Sequence, residues 1–322
     1  MDEIRSRNIG LDLVRVTETA ALAAGRWMGS GNYEAAHRIA SRAMADALNS
    51  MAMMGKVIVG EEGRLGSGDP LSSGTMLGRG SGPEIDLVVD PIDGTSLLIK
   101  GHPGAISVVG MAPAGSIMSI APAKYMEKLV VDRRAAEALV PECLDAPAAW
   151  TLALVARVKN KPVQELTVII LNRPRHSDLI DEIRATGARI ILRDEGDVEG
   201  SLLAVTEGTG VDLLMGTGGA SQGVLAACAV KAMEGGMLAR LSPQSADEKK
   251  AVLEAGLDSK RIFTCEDLIS SNEIFFAATG ITDSALLKSM KFHGTHAETH
   301  SLLIRAETGT RRFITAEHSA RV

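Results

Sequence analysis

The chain has 322 residues, 45% of them hydrophobic, with 34 Lys and Arg against 40 Asp and Glu and a formal net charge of -6. That length can bury a large core, in one layered domain or two packed halves. The acidic balance without a basic block argues against a nucleic-acid partner, and the lack of a long uncharged apolar run or a basic-then-apolar leader argues against a membrane span or secretory signal.

Residues 3 to 28 carry Ile4, Leu11, Val14, Ala21 and Leu22 at helical spacing, and the Gly-Ser-Gly at 29 to 31 ends that helix. A second helical pattern from about Tyr33 to Met54 places Ala36, Ile39, Ala43, Ala47 and Met51 on one stripe, with Met51, Met53 and Met54 as core or interface filler. Lys56 to Glu62, KVIVGEE, reads as a short strand ending in paired acids, Glu61 and Glu62. Adjacent carboxylates repel and are seldom kept together in a partly buried site without a cation. The Gly- and Ser-rich run that follows reads as a mobile surface loop or a lid.

Glu84 to Thr95, EIDLVVDPIDGT, organises the rest. Ile85, Leu87, Val88 and Val89 read as a buried strand that delivers Asp90 and Asp93 at its C-terminal end. Pro91 removes a backbone donor, Gly94 permits a conformation that side chains forbid, and Thr95 adds a hydroxyl where a helix could begin. Two carboxylates and several backbone amides on a rigid turn suit a hard divalent cation bridging to phosphate. An Asp-Pro turn followed by Asp-Gly can also end a strand with no ligand at all. The second acid-ended strand upstream favours the metal.

Further along, Ala105 to Ala112, Ile117 to Ile120 and Lys128 to Val131 read as strands, and Pro141 to Ala149 as a linker. The second half alternates strand and helix: Leu166 to Leu171, His176 to Thr186, Arg189 to Leu192, Val198 to Val205. Arg173, Arg175 and His176 gather just past the first of these strands, where guanidiniums could hold phosphate, although a solvated basic loop reads the same way. Val211 to Leu214 reads as a strand before a Gly-rich turn that opens an Ala-rich helix, exposing amides to an anion or merely allowing close packing. Glu273 to Thr279 reads as a strand, and Ser301 to Arg305 with Arg312 to Thr315 as a closing hairpin. His293, His296 and His300 match no closed zinc pattern and read as surface polar residues. Cys143, Cys228 and Cys265, odd in number and far apart, fit free thiols in a reducing cytoplasm.

The pairing of GEE with DPIDGT resembles the lithium-sensitive, magnesium-dependent phosphatases. YMEKLVV at Tyr125 to Val131, LTVIILNRPRH at Leu166 to His176, the Gly216 to Leu241 run and FAATGIT at Phe276 to Thr282 narrow the resemblance to the bacterial class II fructose-1,6-bisphosphatases, whose cyanobacterial members also act on sedoheptulose-1,7-bisphosphate. It runs from about residue 8 to the C-terminus. The resemblance implies an α/β, layered αβαβα sugar-phosphatase fold with two packed α/β halves, a metal-binding half at 1–145 and a sugar-phosphate half at 146–322. It implies hydrolysis of a sugar phosphomonoester with two or more Mg²⁺ or Mn²⁺ ions on Glu61, Asp90 and Asp93, water oriented by Thr95, and a homo-oligomer, dimer or tetramer. Substrate contacts are implied at Gly94, Thr95, Tyr125, Arg173, Arg175 and His176, at the acidic turn of Glu195, Gly196 and Asp197 for sugar hydroxyls, and at Gly218 and Gly219.

The chain departs from that pattern at three places. A metal-binding aspartate of the family falls on His37, a metal-binding glutamate falls on Gln222, and GEEG stands where the family has GEGE, which loosens the match at Glu62. Imidazole suits transition metals better than Mg²⁺, and Gln keeps an acceptor oxygen but no charge. Glu34, one turn before His37, is a candidate to supply the missing carboxylate. These departures leave two alternatives open: a phosphatase for another sugar or nucleoside-linked sugar phosphate, or a sugar-phosphate-binding or regulatory protein that has lost hydrolysis.

Overall fold

The computed structural model describes residues 9–61 and 68–319. The first stretch contributes α1 (Ile9–Gly25), α2 (Tyr33–Asn49), β1 (Met54–Val59), β2 (Met76–Leu77), β3 (Glu84–Asp93), α3 (Thr95–Lys100) and β4 (Ile106–Pro113). The middle of the chain contributes β5 (Tyr125–Val131), α4 (Arg133–Ala136), α5 (Ala148–Lys159), β6 (Thr167–Leu171), α6 (Ser177–Ala185), β7 (Arg189–Arg193) and α7 (Asp197–Val205). It continues with β8 (Leu213–Gly219), α8 (Ala220–Ala232), β9 (Gly236–Leu241), α9 (Ala246–Glu254), β10 (Ile262–Phe263) and α10 (Cys265–Leu268). The last stretch adds β11 (Phe275–Gly280), β12 (Lys291–His293), β13 (His296–Arg305) and β14 (Thr310–Ser319). The class is α/β with two mixed sheets, as the sequence implied.

The chain forms two compact units, one from residues 1–119 and 271–322, the other from 120–270. These differ from the contiguous halves expected with a boundary near residue 145. The physical reason is β11, which pairs antiparallel with β4 from Phe275 opposite Met111 to Gly280 opposite Ile106 and so carries the C-terminal strands into the sheet of the first unit. That sheet has eight strands in the order β12-β13-β11-β4-β3-β1-β2, with β14 on β13. Leu87, Val89, Val109 and Met111 alternate onto one face and pack with Leu13 and Val16 of α1 and Met44 and Leu48 of α2. Asn32 starts α2 by accepting a hydrogen bond from the Ala35 amide, at 3.1 Å.

The second unit holds a six-stranded sheet in the order β10-β9-β5-β8-β6-β7. Its core joins Leu129 and Val131 of β5 and Val168 and Ile170 of β6 to Leu152 and Val155 of α5 and Ile183 of α6. The Gly-rich segment read as a turn is strand instead: β8 runs to Gly219 because β5 pairs with it residue by residue up to Tyr125 opposite Gly219. Ile117 to Ile120, read as a strand, forms none. The closing hairpin is longer than its apolar alternation suggested, with ten cross-strand pairs between β13 and β14. Glu62 and the start of the lid-like stretch lie outside the described residues. Among the described residues no helix is long and apolar enough to cross a membrane.

Candidate functional site

In the first unit the acids stand at strand ends. β1 and β3 are parallel neighbours whose register slips by one residue, so that Val59 faces Val88. Glu61 and Asp90 each lie two residues beyond that pair and leave their strands in step. β3 then pairs with β4, with Asp90 opposite Val108 and Asp93 opposite Ile106. Three steps along β3 match two along β4, which is a β-bulge. In a regular strand the odd spacing of Asp90 and Asp93 would send them to opposite faces of the sheet; the bulge turns both to the face of Val108 and Ile106. Pro91 sits where the ladder is interrupted and its missing N–H is tolerated.

The corner is tightly fixed. The Ile92 amide donates to Asp90 Oδ1 at 3.0 Å. Gly94 has φ +90, and an added Cβ would also meet Leu97 Cδ1 at 3.1 Å, so glycine is required there. Thr95 opens α3 fully buried and donates its hydroxyl to the Ile92 carbonyl at 3.1 Å. With its proton committed, its oxygen remains an acceptor for a water. Glu61, Asp90 and Asp93 are 2%, 0% and 4% exposed, a burial that ionised carboxylates tolerate only with strong compensation.

His37 points inward from α2 and is completely buried. Its Nε2 lies 3.1 Å from Glu61 Oε2 and 4.0 Å from Asp69 Oδ2, but among the described residues neither ring nitrogen makes a hydrogen bond of good geometry. Tyr33 stacks against it, ring centroids 6.1 Å apart and planes 13° apart. Glu34 does not join this group, contrary to the expectation that it replaces the missing carboxylate. The buried stripe of α2 is Ala36, His37, Ala40, Ser41 and Met44, which leaves Glu34 exposed and paired with Arg38 one turn on. Asp69 is the acid that stands beside His37. It is buried, its Oδ1 accepts from the Leu71 amide at 2.9 Å, and its Oδ2 accepts from Ser41 Oγ at 3.4 Å. Sequence reasoning missed it, although it is the one acid between Glu62 and Glu84.

In the second unit β6, β7 and β8 are parallel, so their carboxyl ends share an edge, and antiparallel β5 begins there with Tyr125. Ligands of open α/β sheets bind beyond such ends. Arg175 donates from Nε and Nη2 to the Thr217 carbonyl, at 3.1 and 2.7 Å, and its guanidinium lies 5.3 Å from the Tyr125 ring centroid. Burial lowers its pKa, opposed by Tyr125 and Asp197 and assisted by Arg173, so two guanidiniums share this corner. His176 has a different task. Its Nδ1 lies 2.7 Å from the Leu171 carbonyl and its Nε2 accepts from the Thr217 amide at 2.8 Å. Burial lowers its pKa, and the neutral ring that results brackets the arginine loop against β8 with both nitrogens committed to backbone.

Asp197 opens α7 after Gly196 and is buried in an ion pair with Lys128 Nζ. Lys128 is itself 1% exposed and also donates to the Gly219 carbonyl at 3.2 Å. A Cβ on Gly218 would stand 2.0 Å from Asp197 Oδ2 and 3.0 Å from Lys128 Nζ, inside the buried ion pair, so glycine is set there by close approach, whereas one on Gly219 would meet only the movable end of the Gln222 side chain, at 1.9 Å from Oε1. Gln222 is buried in the first turn of α8, its Oε1 accepting from Ser221 Oγ at 3.0 Å. Glu195, the first residue of the acidic turn, is partly buried. Lys128 was also missed; its signal was a cation inside the apolar β5 run, where only a buried partner could hold it.

Carboxylate oxygens are the donors that hard divalent ions take, and Glu61, Asp90 and Asp93 offer them at strand ends, so the donor chemistry of the first unit fits such an ion. Among the described residues no three His, Cys, Asp or Glu side chains are already gathered into a metal cage. Comparison with known proteins bears on the chain as a whole. The family described as "Bacterial fructose-1,6-bisphosphatase, glpX-encoded" matches residues 7–318. The chain is 35% identical over 335 aligned positions to the D-fructose 1,6-bisphosphatase class 2/sedoheptulose 1,7-bisphosphatase of Synechococcus sp. strain JA-3-3Ab, covering 96% of this chain and 95% of the relative. It is 34% identical to the protein of the same name from Synechococcus sp. strain JA-2-3B'a(2-13), with the same coverage. A D-fructose 1,6-bisphosphatase class 2/sedoheptulose 1,7-bisphosphatase 2 from Acaryochloris marina is 35% identical, again over 96% of the chain and 95% of the relative.

Proposed function

Because the chain belongs to the bacterial class 2 fructose-1,6-bisphosphatase family, we propose that it is a phosphoric monoester hydrolase acting on a small phosphorylated sugar, fructose 1,6-bisphosphate or sedoheptulose 1,7-bisphosphate. The observation that carries the reading is the corner where a β-bulge turns Asp90 and Asp93 to one face, with Thr95 fixed at the following helix start. The family is metal-dependent, and Mg²⁺ or Mn²⁺, two or more ions, is the choice that hard carboxylate donors support. Glu61, Asp90 and Asp93 would hold them, with Asp69 and His37 beside Glu61. When bound, such ions polarise a phosphoryl oxygen and lower the pKa of a bound water. Thr95 accepts a hydrogen bond from the attacking water and orients it in line.

In the second unit Arg173, Arg175 and the turn at Gly218 and Gly219 are assigned to phosphate, and Glu195, Gly196 and Asp197 to sugar hydroxyls. Tyr125 supports the Arg175 guanidinium, and Lys128 fixes the Asp197 carboxylate. His176 works through the backbone it braces. The free thiols support a reducing cytoplasm as the compartment, and a homo-oligomer is part of the proposal. So is the wider placement among lithium-sensitive phosphatases, for which inhibition by Li⁺ at constant ionic strength is the check.

The test is phosphate release from a panel of sugar mono- and bisphosphates with Mg²⁺, Mn²⁺ and Zn²⁺ supplied separately. Turnover of either ketose bisphosphate is expected. Turnover of some other sugar phosphate alone would reassign the substrate. Silence across the panel with thermal stabilisation by one of those compounds would mean a binding protein that has lost hydrolysis.

A further inference from the structure

β14 is a ten-residue strand that pairs with β13 along its whole length and, among the described residues, with nothing on its other side. Exposed sheet edges invite further pairing, and proteins blunt them with short strands, prolines, bulges or charged side chains. Of these β14 has only the charges: it is long, contains no proline, and keeps an unbroken register with β13. Its charges are ordered instead. Arg311 and Arg312 stand near the start and Glu317 and His318 near the end. Pairing with an identical strand in parallel would set like charges side by side, whereas antiparallel pairing sets opposite charges together.

We propose that β14 is the edge through which two copies of this chain join, antiparallel, about a two-fold axis at Ile314. Cross-strand partners point to the same face, so the axis must fall on a residue or shift by a whole alternation. Centred on Ile314, Arg311 opposes Glu317 of the second copy, Phe313 opposes Thr315, Arg312 opposes Ala316 and Thr310 opposes His318. Centred on Phe313, Arg311 meets Thr315 and no charges match; centred on Thr315, Arg312 meets His318 and Arg311 meets Ser319. The Ile314 register alone forms two symmetric Arg311–Glu317 pairs. Phe313 lies on the same face as those pairs, 53% exposed and stacked on His300 at 5.9 Å between centroids, which gives that face an aromatic to cover. This inference deepens the homo-oligomer part of the proposed function and is independent of its chemistry.

Sedimentation velocity on the full chain over a range of concentrations, with Arg311→Glu, Glu317→Arg and the double exchange, tests it. Each single variant should weaken association at least about tenfold, and the double exchange should restore it. Ile314→Cys should in addition form a covalent dimer under mild oxidation, since the two-fold axis sets the two positions opposite each other and the native cysteines are buried. A monomer at every concentration would overturn both the homo-oligomer reading and this interface. An oligomer that ignores both single exchanges and gives no Ile314→Cys cross-link would overturn the β14 interface alone.

Discussion

At the scale of single residues, the expectation that His37 stands where the family carries an acid is answered by geometry. His37 is buried between Glu61 and Asp69, so the cluster keeps two carboxylates within 4.0 Å of its Nε2. Asp69→Asn removes the second carboxylate beside His37 and should raise the Mg²⁺ or Mn²⁺ concentration for half-maximal phosphate release by about 10–100-fold, the usual scale for groups that support metal ligands. Glu34→Ala should leave that concentration unchanged, because Glu34 is an exposed partner of Arg38. The reverse ranking in a metal titration would restore Glu34 to the site. Sequence spacing could not separate the two. It showed Glu34 one turn from His37 but not which stripe of α2 is buried, and Asp69 lies within a long Gly- and Ser-rich stretch with no periodicity to place it.

At the scale of elements, the acid-ended strands were legible and the device that aims their acids was not. The apolar run Ile85 to Val89 announces a strand, but the bulge between Asp90 and Asp93 exists only against β4, whose register no local pattern contains. The same limit hid the strand character of the Gly-rich segment, which is held in the sheet by β5. A second device of this kind ties α5, β6 and β8 together. Lys159, at the end of α5, lies 2.8 Å from Asp132 Oδ2 and 3.1 Å from Asp212 Oδ1; Lys161 lies 2.8 Å from Asp212 Oδ1, and the Thr167 amide donates to Asp212 Oδ2 at 3.0 Å. Burial alone would raise the Asp212 pKa, but the hydrogen bonds from Lys161 and Thr167 and the charge of Lys159 hold it below the usual 3.8. A carboxyl whose folded pKa is depressed contributes stability that is complete above its unfolded pKa and lost as pH falls through the folded one. Asp212→Asn should therefore cost about 3 kcal/mol in urea unfolding at pH 7, and its deficit should narrow below pH 3.8. Unfolding curves that stay parallel at both pH values would remove Asp212 from the stabilising network.

At the scale of the whole molecule, composition bounded the class and the free thiols, while the division into units depended on β11 returning to β4 across more than half the chain. Cys143, Cys228 and Cys265 are all free and buried. Burial pushes the Cys228 thiol up to about 12 and raises that of Cys265 as well. Such thiols are neither nucleophiles nor redox sensors at neutral pH. A colourimetric thiol reagent should find essentially none of them in the native protein and all three after denaturation; rapid native labelling would mean that the turn at Pro141–Leu144, α8 or α10 opens readily. The proposed chemistry rests on the bulged corner of β3. It is tested most directly by phosphate release from fructose 1,6-bisphosphate and sedoheptulose 1,7-bisphosphate, with Mg²⁺ or Mn²⁺, by the natural chain and by Asp90→Asn, with thermal unfolding measured alongside. We expect turnover by the natural chain and a loss of at least about 10³-fold in the variant, with folding intact. Turnover that survives Asp90→Asn would contradict it and move the chemistry elsewhere in the molecule.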